Sequence, residues 1–133
     1  MLNEFHLQIR CSSGQTVDSV DRGVFQHSFE EIREALLAVP NLYFEEDGSF
    51  FWRNQEKGFQ VWGMLYDRIV DNVNGQQPAS RLEYCELQGK LSRVEWQSII
   101  DCLGEPIARL LAVELPQMKV SALEDFLTRL DCV

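Results

Sequence analysis

Residues Leu42-Tyr43-Phe44-Glu45-Glu46 and Ser49-Phe50-Phe51-Trp52-Arg53 are two aromatic-rich runs joined by Asp47-Gly48. Asp-Gly between such runs signals a tight hairpin, because the turn needs positive φ at its central residues. A second turn, Asn54 to Gly58, leads into Phe59 to Val70, a long strand. Within it Phe59, Val61, Gly63, Leu65 and Ile69 share one parity, and Trp62, Met64, Tyr66 and Val70 share the other. Side chains alternate between the two faces of a strand. This strand therefore carries large apolar groups on both.

Working outward, Leu2 to Cys11 alternates cleanly. Phe5, Leu7, Ile9 and Cys11 point one way, and Glu4, His6, Gln8 and Arg10 the other. That is the pattern of a half-buried strand. Ser28-Phe29-Glu30-Glu31 is a capping box, and Phe29, Ile32, Ala35, Leu36 and Val39 follow at helical spacing until Pro40. His27 is expected to pack at the start of this helix against Ile32. Thr16 to Gln26 is ambiguous, and Asn72 to Pro78 reads as a loop. Arg81 to Gln88 is the next strand, with mixed parity that suggests a bulge or burial on both faces. Ser92-Arg93-Val94-Glu95 is a second capping box, continued by Trp96, Ile99, Ile100 and Leu103 and stopped at Gly104. Pro106 suits the first turn of a helix from Ile107 to about Glu114. A strand through Leu111, Val113 and Leu115 competes with it. Ser121-Ala122-Leu123-Glu124 is a third capping box before Phe126, Leu127 and Leu130.

Consecutive strands joined by short turns must be antiparallel. The expected fold is α+β: a five-stranded antiparallel sheet with helices on one face, in the order β-α-β-β-β-β-α and then a helical C-terminal tail. One domain spans 1–133, with a sheet-and-helix core at 1–104 and the tail, 105–133, packed on it. This element order resembles half of the TATA-binding-protein fold and, more loosely, helix-grip folds. The DNA-binding use of the former needs a basic concave sheet, and the charge here does not suggest one.

The 133 residues include twelve Lys and Arg against twenty-one Asp and Glu, a net charge of −9. Apolar residues are 45%, charged residues 25% and aromatic residues 11%. That balance is globular, and one core is usual at this size. Acidity argues against nucleic-acid binding, which needs clustered cations. No apolar run approaches the about 20 residues of a membrane-spanning helix, and no secretory signal opens the chain. Cys11, Cys85, Cys102 and Cys132 form no Cys-x-x-Cys pair, so free thiols in a cytoplasmic setting are expected, three of them core-like. No metal-ligand spacing, phosphate loop, dinucleotide fingerprint or calcium loop is present, so no cofactor or metal is expected. Glu30, Glu31 and Glu34 read as helix capping and a solvated face. Glu45, Glu46 and Asp47 read as hairpin solvation.

The aromatic cluster is the functional signal. A sheet covered by helices on one side needs only one apolar parity per strand. Trp62, Met64 and Tyr66 should emerge on the other side with Phe51 and Tyr84. The helical tail, a partner or second copy, or a small apolar ligand could cover them. The reading is a non-catalytic protein-binding domain, homodimerisation included. Its anchors are Trp62, Met64 and Tyr66, and its polar rim is His6, Arg10, Arg53 and Arg68. The alternative is a small-molecule-binding domain or enzyme with a cleft between helix and sheet. A third reading has the acidic surface docking a basic partner or mimicking nucleic acid.

Overall fold

A computed structural model describes residues 3–12, 25–70 and 79–130, with 68–70 and 79–80 as backbone alone. The ambiguous stretch after Thr16, the loop before Pro78 and Cys132 lie largely or wholly outside these residues. The elements are β1 (Phe5–Cys11), α1 (Phe29–Leu37), β2 (Leu42–Phe44), β3 (Ser49–Asn54), β4 (Phe59–Val70), β5 (Ala79–Lys90), α2 (Arg93–Leu103), a 3-10 turn (Ile107–Arg109), β6 (Leu110–Glu114), β7 (Lys119–Ala122) and α3 (Leu123–Leu130).

The architecture is α+β with an antiparallel sheet, as the sequence implies, but the sheet has seven strands rather than five. Their order is β2-β3-β4-β5-β1-β6-β7. Of the expected helical tail, Leu123–Leu130 is helical, but the helix from Ile107 to about Glu114 gives way to the competing strand. Ile107 to Arg109 makes only one tight turn, and Leu110 to Glu114 then pairs along β1. Leu110, Leu111, Ala112 and Val113 are all buried. A short run buried on both faces fits helix and strand patterns equally well, and here tertiary pairing decides between them. The resemblance in element order thus ends at α2, because two strands follow it.

Local signals explain most boundaries. The Ser28 box is complete: Glu31 N–H donates to the Ser28 hydroxyl, and Ser28 N–H donates to the Glu31 carboxylate. These bonds, with that to His27, hold the Glu31 carboxyl at about 2, down from 4.5. The other two boxes do not close. Ser92 donates to the Glu95 side chain instead of capping the α2 backbone. Ser121 lies in β7, where its hydroxyl accepts from Arg129. His27 also departs from its expected staple. Its ring bonds Glu31 at 3.1 Å and lies so close to Gly104 that a Cβ there would fall 2.0 Å from it.

The hairpin between β2 and β3 forms at Asp47-Gly48, but Gly48 takes positive φ and Asp47 does not. Gly48 has φ +97°, and a Cβ there would sit 2.9 Å from the Leu65 carbonyl oxygen. Only glycine meets both demands. Asp47 accepts from both the backbone and the hydroxyl of Ser49, which lowers its carboxyl pKa. Gly63 serves packing instead, since the buried Phe50 ring lies in the space where its side chain would be.

All three helices pack on one face. Ile32 and Leu36 of α1, Trp96 and Ile99 of α2, and Phe126 and Leu127 of α3 join the inward side chains of the sheet in one core. Trp96 is its centrepiece. It is fully buried, 4.8 Å from the Phe5 ring and 6.3 Å edge-on to Phe126. Its indole N–H is buried without a hydrogen-bond partner among the described residues. Cys11 and Cys85 are buried free thiols and Cys102 is half-buried. Burial raises the Cys85 thiol pKa and pushes that of Cys102 up to about 11.

Two outcomes are expected. Trp96→Ala should cost about 3–5 kcal/mol in urea unfolding. Trp96→Phe should cost less than half as much, because it also removes a buried, unpaired N–H. The second concerns Glu31. Its pKa is lower folded than unfolded, so its contribution is complete above pH 4.5 and is lost as pH falls through about 2. A carboxyl-carbon NMR titration should find that low value, and Ser28→Ala should raise it.

Candidate binding face

The strand registers assemble the face opposite the helices. Tyr43 pairs with Phe51, Phe51 with Trp62, Trp62 with Gln88, and Gln88 with His6, making one row across β2, β3, β4, β5 and β1. Ser49, Met64, Glu86 and Gln8 form the adjacent row, and Tyr66, Tyr84 and Arg10 the next. On the other side of the first row, Arg53, Gln60 and Lys90 form a fourth.

The aromatic row is exposed. Tyr43 is 68%, Phe51 38% and Trp62 39% accessible. Met64 and Tyr66 are half-buried. Tyr66 stacks on Tyr84 at 4.4 Å, and the Arg10 guanidinium lies 4.4 Å above the Tyr84 ring. Arg10 Nε also donates to the Gln8 side-chain Oε1 at 2.9 Å. Burial raises the Tyr84 phenol pKa, with the Tyr66 phenol adding to the effect. Tyr66, Tyr84, Arg10 and Gln8 thus hold one another in place.

Beside this cluster lies a concavity of 490 Å³, lined by Glu4, Phe5, His6, Phe51, Gln60, Trp62, Gln88 and Gly89. His6 Nε2 lies 2.9 Å from Glu86 Oε2, which fixes the imidazole as part of the wall. Glu4 faces Lys90 at 3.9 Å. Arg53 is exposed, 5.9 Å from the Phe51 ring, and makes no ion pair among the described residues. The buried carboxylates lie elsewhere and are used locally. Glu95 is bonded by Ser92, and Glu105 accepts from Gln26 N–H at 2.8 Å and from Arg109 at 3.2 Å. No three His, Cys, Asp or Glu side chains gather as a metal site among the described residues.

Of the residues singled out from the sequence, Trp62, Met64, Tyr66, His6, Arg10 and Arg53 share this face. Arg68 is described only in its backbone, opposite Arg81. The tail does not cover the aromatic row. β6 and β7 extend the sheet beyond β1, and α3 lies on the helical side, where Arg129 bonds Glu114 at 3.1 Å. At that end of the second face Leu111 and Val113 are buried, so the exposed apolar area belongs to β2, β3 and β4. Described helix side chains join the sheet in one core, and this concavity lies on the sheet face opposite the helices. Gln60 and Gln88, which line the concavity, were missed. Polar residues alternating along a strand read as solvated, and only the register brings them to one groove.

Comparison with family models, with curated proteins and with solved structures finds no match. No described helix is long and apolar enough to cross a membrane.

If Trp62 serves contact rather than folding, Trp62→Ala should cost no more than about 2 kcal/mol, the scale of its two cross-strand pairs with Phe51 and Gln88. Chemical denaturation of this variant beside Trp96→Ala measures the contrast.

Proposed function

We propose that this chain is a non-catalytic domain that binds a protein partner through the open face of β1–β5. The observation that carries this reading is the exposed cross-strand row Tyr43, Phe51 and Trp62. Each ring could have been a small polar residue at no cost to the core, which lies on the other side. Tryptophan and tyrosine are favoured at contact hot spots because they bury large areas with little loss of rotamer freedom. Trp62 and Phe51 are the anchors, and Met64 and Tyr66 extend the apolar patch. His6, Arg10 and Arg53 form the rim, and Arg68 follows on the same strand as Trp62. The local electrostatics support a contact role. The chain carries −9, yet the described side chains of this face include Arg10, Arg53 and Lys90 against Glu4 and Glu86. Cations match or exceed carboxylates among these side chains, which limits charge repulsion where contact is proposed. Buried free thiols at Cys11 and Cys85 favour action in a reducing, cytoplasmic setting.

The test uses affinity capture from extract of the source cells, with wild type and the Phe51→Ala, Trp62→Ala double variant as baits. Wild type should retain a partner that the double variant loses, while the variant melts within about 8 °C of wild type. An identical set of captured proteins overturns the reading. Light scattering on the purified chain tests whether the partner is a second copy: a concentration-dependent dimer lost in the double variant would identify self-association.

A further inference from the structure

The groove beside Trp62 narrows the chemistry of the partner, given the binding face proposed above. Trp62 on β4 and His6 on β1 stand on either side of β5 and its Gln88. Two strand spacings separate them, about 9.6 Å between backbones. An α-helix with its side chains is about 10–12 Å across and would ride above these walls. A single extended chain fits between them.

The groove presents N–H donors beside its aromatic rings. Glu4 and Glu86 already face Lys90 and His6. The side-chain amides of Gln60 and Gln88 and the indole N–H of Trp62 make no hydrogen bond among the described residues. An amide side chain offers two N–H groups and one carbonyl, and an indole offers only its N–H. A ligand with free carbonyl oxygens for these N–H groups and compact apolar surfaces to lie on Trp62 and Phe51 complements the groove. A polyproline II chain has this chemistry. It makes no internal hydrogen bonds, its carbonyls are free, and proline has no N–H. Its conformation is set before binding, so less entropy is lost on an aromatic groove. Arg53 neighbours Gln60 across the strands and has no carboxylate partner among the described residues, so it can take one from the ligand.

We propose that this groove binds an extended, proline-rich segment of the partner protein, with an acidic residue at the Arg53 end.

The probes are an acetylated eight-proline peptide ending in Glu-Glu, the same peptide ending in Gln-Gln, and a Gly/Ser peptide ending in Glu-Glu. Each is titrated into the full chain labelled with nitrogen-15. The Trp62 indole signal is assigned by its loss in Trp62→Phe. The proline-Glu peptide should shift the Trp62 indole and the Gln60 and Gln88 amides saturably. Trp62→Ala should weaken binding by at least about tenfold, as expected of a hot-spot anchor. Arg53→Ala should remove the preference for Glu over Gln ends while leaving the indole shift. Spectra elsewhere in each variant report that it remains folded. No shift at millimolar peptide, equal shifts with the Gly/Ser peptide, or shifts that survive Trp62→Ala would overturn the proposal. So would a dimer of the chain that seals the groove. If the peptides fail while Phe51→Ala, Trp62→Ala still loses its captured partner, the face binds protein of another chemistry. If both experiments fail, the face is not the binding surface.

Discussion

The sheet depends on β1 being hydrogen-bonded along both edges. Phe5–Cys11 pairs with β5 on one side and β6 on the other. Without it the meander β2–β5 and the hairpin β6–β7 would be separate pieces, each with an open edge that invites wrong pairing. The strand suits the position. Leu7, Ile9 and Cys11 are fully buried among the helices, and on the other face Gln8, only 9% exposed, bonds to Arg10. The outer edges fall to the short strands β2 and β7, of three and four residues, which limits the backbone left for edge pairing.

The helices follow from the faces. Because Leu7, Leu65, Leu87 and their neighbours all project to one side, α1, α2 and α3 must gather there, with Trp96 touching both Phe5 and Phe126. The exposed aromatic row of the opposite side, Tyr43, Phe51 and Trp62, lies outside that core. Its aromatic residues stand in register because the hairpins of β2, β3 and β4 set Tyr43, Phe51 and Trp62 directly opposite one another. The irregularity at Tyr66/Asp67 comes just after the Tyr66–Tyr84 pair, so the stacked rings close the ordered part of the face.

Much of this face was legible from Phe59 to Tyr66, because alternation along one strand separates Val61 and Leu65 from Trp62 and Met64. The mixed parity of Arg81 to Gln88 likewise announced the bulge that lies opposite Asp67. Other features were not legible. Ser92 and Ser121 carry the same capping pattern as Ser28, but a cap is a competition among nearby partners. Ser92 bonds Glu95 and Ser121 is taken by Arg129. The groove could not be read either, since it joins residues as distant as His6 and Gln88.

The sequence alone determined the alternating strands, the Asp47-Gly48 turn, the α1 cap and the excess of aromatic residues between Tyr43 and Tyr66. These are local properties, set by side-chain period, by φ preference and by hydrogen bonds a few residues long. Only the tertiary structure decided that β1 lies between β5 and β6, that Leu110–Glu114 is a strand, and that the tail leaves Trp62 uncovered. Each rests on pairing between segments far apart in the chain. A run such as Leu110-Leu111-Ala112-Val113 is apolar at every period, so its partner, and not its pattern, sets its conformation.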